Sequence, residues 1–362
     1  MTKLHDLLKL GQSPWLDYIR KDLLQSGELT DLVRAGIRGV TSNPTIFENA
    51  IGKSELYQKE IKLLAHQGKD KFQIYEELVV EDIQRAADVL RSVYVQSDET
   101  DGFVSLEVPP DLCDDHELTV KEAKRLWSKI ERPNLMIKVP ATSAGLLAMT
   151  ELVSEGISIN ATLLFTCQDY LEVAEAYVKG LEIRYEKKMP LDTVASVASI
   201  FVSRIDSAVE SLLEGEQKDE LLGKVAIANS RTIYREYLNI NQSSRFLRLK
   251  ELGARPQRPL FASTGTKISQ LPDVHYVDNL IGPDTVNTMP PVTMRAFLDH
   301  GTPHRTVDQY ATEDEMILKR CVEAGLDIEQ IGVKLKQAGL QQFIDSFQSL
   351  LNTIEMNRKS HF

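Results

Sequence analysis

Cysteine is scarce in this chain: Cys113, Cys167 and Cys321 are the only three in 362 residues, with no C-x-x-C spacing. So few, in an odd number, exclude a disulfide framework and a structural zinc knuckle, and they suit a reducing, cytoplasmic setting. Histidine gives no metal cluster either. His300 and His304 stand four apart, but Gly301-Thr302-Pro303 between them breaks a helix. No metal and no cofactor are expected. Long apolar runs are missing: none approaches the roughly 18 residues of a membrane span, and Met1-Thr2-Lys3-Leu4-His5-Asp6 opens a polar segment without a signal core. Positive charge is in deficit, with 42 Lys and Arg against 53 Asp and Glu, net −11. That removes the basic field used to hold nucleic acid or anionic membranes, so neither is an expected partner. An anionic metabolite is still admissible, because pocket charge is local. No G-x-G-x-x-G follows the first strand. Gly265-Thr266-Lys267 is not a P-loop, since Leu260 occupies the place of its upstream glycine.

What is present is alternation. Short apolar runs and longer helical patterns succeed one another from end to end, the sequence form of repeated βα units. Eight strands are expected at 15–19, 39–43, 103–108, 135–139, 157–165, 194–202, 259–263 and 276–281. Helices are expected between them, among them 70–93, 119–130 (with Thr119 and Glu122 as a capping box), 168–185, 206–213, 222–239 and 245–252. No repeat, low-complexity run or long linker divides the chain. Eight strands alternating with helices favour a (β/α)8 TIM barrel, with extra helices at both termini, over an open doubly wound sheet. Residues 1–362 are expected to form one barrel domain, with 313–357 a helical C-terminal extension broken near Gly325–Asp327.

One lysine breaks the binary pattern. In Asn134-Leu135-Met136-Ile137-Lys138-Val139-Pro140-Ala141-Thr142, Lys138 sits inside a strand-length apolar run. A lysine there loses hydration, and a desolvated amine is a nucleophile toward carbonyls. The bland alternative is an edge lysine that snorkels to water. Strand alternation sorts the neighbours. Phe103, Ser105 and Glu107 share a face of the third strand, and Met136 and Lys138 share one of the fourth. Ser158, Asn160 and Thr162 line one face of the fifth. Asp17 lies on the face of Trp15 and Ile19, and Thr41 aligns with Asn43 before Pro44. Ser199 belongs to the sixth strand, with Arg204 just beyond, and Ser263 ends the seventh. Polar groups therefore recur on one face of strand after strand, which describes a polar pocket at one end of a barrel. Singly, each has a modest alternative: Asn43 as a turn residue, Thr162 and Ser199 as strand filler, Arg204 as a surface ion-pair partner. Glu107 beside Lys138 is harder to dismiss, because a buried ion pair adds little stability by itself.

A buried lysine with two carboxylates and several amides and hydroxyls suits aldol chemistry through an imine. Lysine attacks a ketose carbonyl, and the iminium acts as electron sink. One carboxylate takes the proton from the hydroxyl beside the breaking bond, and another manages imine formation. Arg204, Ser263 and Lys267 can meet a phosphate.

These segments resemble the transaldolase family, in its longer bacterial form. The pieces are Trp15-Leu16-Asp17, Val40-Thr41-Ser42-Asn43-Pro44-Thr45, Val104-Ser105-Leu106-Glu107-Val108, Met136-Ile137-Lys138-Val139-Pro140-Ala141-Thr142, Ile159-Asn160-Ala161-Thr162-Leu163-Leu164-Phe165 and Ser199-Ile200-Phe201-Val202-Ser203-Arg204. They occur in the family's order over roughly positions 10 to 290. The resemblance implies a barrel with the Schiff-base lysine on strand four. It also implies transfer of a dihydroxyacetone unit from sedoheptulose 7-phosphate to glyceraldehyde 3-phosphate, in the non-oxidative pentose phosphate pathway. By the same resemblance Lys138 forms the imine, Asp17 is the acid/base for carbon–carbon cleavage, and Glu107 with Thr162 serves imine formation. Asn43, Asn160 and Ser199 hold the three-carbon intermediate. Many members carry an Arg soon after the strand-seven serine. Here Lys267 either takes that phosphate role or is merely solvated. A simple ketose-phosphate aldolase and a silent sugar-phosphate-binding barrel are the rival readings. Sugar phosphates are the expected partners, in a monomer or a homodimer.

Overall fold

The computed structural model describes residues 1–359. Eight parallel strands close into a barrel in sequence order: β1 (Gln12–Asp17), β2 (Gly39–Thr41), β3 (Val104–Glu107), β4 (Leu135–Pro140), β5 (Ile159–Leu164), β6 (Ser196–Phe201), β7 (Gln257–Ala262) and β8 (Thr285–Met289). β8 pairs back onto β1, so the sheet has no edge. Helices separate the strands and bury their apolar stripes on the barrel. The helix Lys71–Gln96 shows the local logic. Asp70 caps it, accepting from Phe72 N–H and Gln73 N–H at 2.9 Å each, and Ile74, Leu78, Ile83, Ala86, Ala87 and Leu90 form its buried stripe.

The barrel floor explains one glycine. Trp15 of β1 is fully buried and pairs in register with Gly39. A Cβ on Gly39 would come within 2.4 Å of the indole, so no side chain fits there. Trp15 Nε1 donates to Asp101 at 2.9 Å, which satisfies the one polar atom of the ring.

Three local expectations differ from the structure. The run at 276–281 is not a strand. His275–Asp278 is a helical turn, and β8 lies further on at Thr285–Met289. Tyr276, Val277, Leu280 and Ile281 are all buried, at a spacing that suits a helical turn as well as a strand. The true strand carries Thr285, Asn287 and Thr288, whose polarity disguised it. The helix expected from Thr119 starts at His116 instead. Asp115 is its cap, accepting from Leu118 N–H at 2.9 Å, while Thr119 donates to the Leu112 carbonyl at 2.8 Å. The helix after β6 begins at Ser203, three residues earlier than expected, which places Arg204 in its first turn.

The C-terminal extension is two helices, Ala311–Glu323 and Ile328–Lys359, broken at Gly325 with φ +77°. The second spans 32 residues. It packs on the segment Pro44–Gly52 after β2, on the helix Lys71–Gln96 and on the end of β5, and so crosses the C-terminal mouth of the barrel. No described helix is long and apolar enough to cross a membrane.

Candidate functional site

A cavity of about 550 Å³ opens at the C-terminal ends of the strands, and Asp17, Asn43, Lys138, Ser199, Arg204, Ser263 and Lys267 all line it. Seven of the ten residues singled out from the sequence thus meet in one pocket. The other three, Glu107, Asn160 and Thr162, are buried in the adjoining barrel wall.

Register creates the central pair. Glu107 on β3 lies opposite Lys138 on β4, and Lys138 opposite Asn160 on β5. Lys138 is 3% exposed. Its Nζ donates to the Ser42 carbonyl at 3.2 Å and stands 3.4 Å from Glu107 Oε2. Neither Glu107 oxygen accepts a hydrogen bond among the described residues. Burial pushes this carboxyl up to about 7; the Lys138 charge opposes the rise and the Asp17 charge adds to it. It can therefore give or take a proton near neutrality.

Asp17 closes β1 at the pocket wall. Thr41 Oγ1 donates to its Oδ1 at 2.7 Å and lies 2.7 Å from Thr288 Oγ1. Burial raises the Asp17 carboxyl above the usual range, opposed by Lys138, by the Thr41 bond and by Arg204. A chain of amide and hydroxyl groups links three strands: Ser199 Oγ donates to Asn160 Oδ1 at 2.7 Å, and Asn160 Nδ2 donates to Ser105 Oγ at 3.0 Å. Thr162 is fully buried, and its Oγ1 has no hydrogen-bond partner among the described residues. It precedes Leu163, which takes φ +62° where the β5–β6 register shifts. Asn43 has two tasks: it lines the pocket and caps the helix Pro44–Phe47, its Oδ1 accepting from Ile46 N–H at 2.9 Å.

A positive corner lies at the far side. The Arg204 guanidinium packs on the Phe201 ring at 5.2 Å, and its Nε is buried without a partner. Burial lowers its basicity, and Asp17 partly restores it. Lys267 is exposed overall, yet burial near the pocket wall and then the Arg204 charge hold its ammonium below the usual lysine range. The two cationic side chains thus give this corner of the pocket a local positive charge on an acidic protein. Ser263, at φ +56°, sits beside them, its Oγ 3.0 Å from Ser203 Oγ.

Several pocket groups escaped sequence reasoning. Thr288 was hidden by the misplaced eighth strand. Its signal was available, because β2, β4 and β8 all run into proline, at Pro44, Pro140 and Pro290. Gln342 and Phe343 come from the terminal helix, and no local pattern points a tail residue at a barrel mouth. The Phe343 ring centroid is 5.9 Å from Lys138 Nζ. Among the described residues, no group of three or more His, Cys, Asp or Glu is placed to hold a metal ion.

A closed parallel barrel with its ionisable groups gathered at the C-terminal strand ends is the layout of a (β/α)8-barrel enzyme. The profile of the transaldolase/fructose-6-phosphate aldolase family matches residues 14–354. A transaldolase of Trichodesmium erythraeum is 43% identical over 364 residues, covering 97% of this chain and 96% of that protein. One of Parafrankia sp. is 44% identical over 356 residues, with 97% and 96% covered, and one of Neisseria gonorrhoeae 42% over 351, with 97% and 99% covered. The chain belongs to the transaldolase/fructose-6-phosphate aldolase family.

Proposed function

We propose that the protein is a transaldolase, moving a dihydroxyacetone unit from sedoheptulose 7-phosphate to glyceraldehyde 3-phosphate to give fructose 6-phosphate and erythrose 4-phosphate. The observation that carries the mechanism is the Lys138–Glu107 pair, 3.4 Å apart at the base of the pocket. Glu107, with a carboxyl near 7, receives a proton from the Lys138 ammonium, and the free amine attacks the donor's C2 carbonyl. The carbinolamine then loses water, with Glu107 supplying the proton to the departing hydroxyl and the unpartnered Thr162 hydroxyl steadying that water. Asp17 takes the proton of the C4 hydroxyl. The C3–C4 bond breaks, its electron pair passes into the enamine on Lys138, and the aldehyde product leaves. Addition to the acceptor reverses these steps, and Asp17 returns the proton to the new alkoxide. Asn43, Asn160 and Ser199 hold the hydroxyls of the three-carbon unit, a role supported by the hydrogen-bonded chain through Asn160. Arg204, Ser263 and Lys267 take the phosphate at the pocket's positive corner. The chain acts as one catalytic domain in the cytoplasm, as a monomer or a homodimer.

The named relatives favour transfer over simple cleavage, although the family also includes fructose-6-phosphate aldolase. Borohydride trapping with fructose 6-phosphate, followed by mass mapping, tests the imine. One adduct is expected, on Lys138, and Lys138→Met should abolish it. An adduct on Lys267, or none, would overturn the mechanism. Turnover that ignores the concentration of acceptor aldehyde would instead assign the chain to the aldolase branch.

A further inference from the structure

We infer that Phe343 of the terminal helix decides transfer over release by keeping water from the three-carbon intermediate on Lys138. The inference rests on the transaldolase reading of the pocket. After carbon–carbon cleavage the electron pair lies in the enamine and has two fates. In transfer it forms the new bond to the acceptor's carbonyl carbon, and the carbonyl oxygen takes a proton. In release it takes a proton from water, a second water adds to the iminium carbon and gives a proton to the hydroxide just formed, and the carbinolamine passes its hydroxyl proton to the departing lysine amine, leaving free dihydroxyacetone. Both waters must reach the nitrogen and the carbons beside it.

Phe343 stands on that approach. It is 2% exposed, and its ring centroid lies 5.9 Å from Lys138 Nζ. Asp17 and Ser199, which line the same pocket as the amine, are polar and would attract water. An aromatic face also favours the iminium cation over a hydrated alternative. The ring is held in place by how its helix docks. Lys336 Nζ donates to the Ala141 carbonyl at 2.9 Å and pairs with Asp169. Gly332 and Gly339 let the helix approach β5 and its following turn closely: a Cβ on Gly332 would come within 2.1 Å of Thr166 Cγ2, and one on Gly339 within 2.9 Å of Leu163 Cδ2. A roof set by side chains two turns away leaves Phe343 little freedom to swing aside.

The test uses the full chain with fructose 6-phosphate as donor. Three quantities are measured: the borohydride-trapped Lys138 adduct, dihydroxyacetone released without acceptor, and transfer to erythrose 4-phosphate. Phe343→Ala should raise the ratio of release to transfer by about tenfold while the adduct is still trapped. Phe343→Leu, which restores apolar cover, should stay near the wild-type ratio. Phe343→Gln truncates less than alanine but brings water, and it serves if the alanine variant does not fold; its ratio should rise as well. An unchanged ratio in the alanine or glutamine variant, with the adduct intact, overturns the inference and leaves the imine reading standing. So does a parallel fall of release and transfer in every variant, which would make Phe343 purely structural. No trapped adduct in the wild type would overturn the imine reading itself, and the inference with it.

Discussion

Arg204→Gln separates phosphate recognition from aldol chemistry. In the free protein the Arg204 guanidinium is half-buried on Phe201, its Nε has no acceptor, and burial opposes its charge. A bound phosphate supplies what is missing. Each charge-assisted hydrogen bond is worth about 1.5–3 kcal/mol, and a forked pair should therefore carry roughly 3–6 kcal/mol. Lys267 remains beside the lost group and recovers part of this, so a net loss of about 3 kcal/mol is expected, or roughly 150-fold in kcat/KM. Lys267 offers a point charge on an exposed side chain, and Lys267→Met should cost only about tenfold. The assay compares glyceraldehyde 3-phosphate with unphosphorylated glyceraldehyde as acceptor. The loss, read as kcat/KM for the acceptor at a fixed donor, should appear with the first and nearly vanish with the second, which carries no phosphate for Arg204 to hold. Stability should move the other way. Removing a buried, unpartnered donor ought to leave the melting temperature unchanged or raise it by roughly 1–3 °C. Equal losses with both acceptors, or a larger loss for Lys267→Met than for Arg204→Gln, would refute the assignment.

Two further perturbations test the fold around the site. Asp206 accepts from Ala226 N–H at 2.8 Å and from the Tyr276 hydroxyl at 2.9 Å, yet burial pushes its carboxyl up to about 7. The folded state then keeps a proton that the unfolded chain loses near 4, so stability falls as pH rises from about 4 to 7, by at most ~4 kcal/mol from this group. Asp206→Asn should flatten that slope in urea titrations at pH 5 and pH 8, and an unchanged slope would contradict the burial argument. Gly332→Ala gains helix propensity, about 1 kcal/mol, but places a methyl within 2.1 Å of Thr166 Cγ2. Overpacking of about 1–3 kcal/mol should outweigh the gain and lower the melting temperature by a few degrees. A raised melting temperature would mean that the close helix approach is not needed.

Physically, the site works by withholding solvent from charge. Lys138 and Glu107 are buried together where register sets them opposite, and burial pushes the Glu107 carboxyl up to about 7. Burial works against the charges of Arg204 and Lys267, and the Arg204 charge adds to the effect on Lys267. Such arrangements lower stability locally, and the continuous apolar core around the barrel offsets them.

By itself the sequence determined the fold class and most of the pocket. Period-two alternation on eight short strands is strict, so a lysine inside Leu135–Val139 and a glutamate inside Phe103–Val108 had to face the same way once the strands were neighbours. That logic carries Asp17, Ser199 and Asn160 to the same barrel end as well. It failed where two elements share one pattern: the buried run at 276–281 fits helix and strand alike, and the real β8 carries polar residues although all five of its positions are buried. Only the tertiary structure decided distances and coverage. The 3.4 Å gap between Lys138 and Glu107, the use of Asn43 as a helix cap and the left-handed backbone at Leu163 within β5 depend on register and packing that no single segment encodes. Phe343 is the clearest instance. It lies 205 positions beyond Lys138, on a helix whose own pattern says only that one face is apolar. Which surface that face meets was settled by Gly332, Gly339 and Lys336 against the ends of β4 and β5, because close packing is a property of two surfaces together.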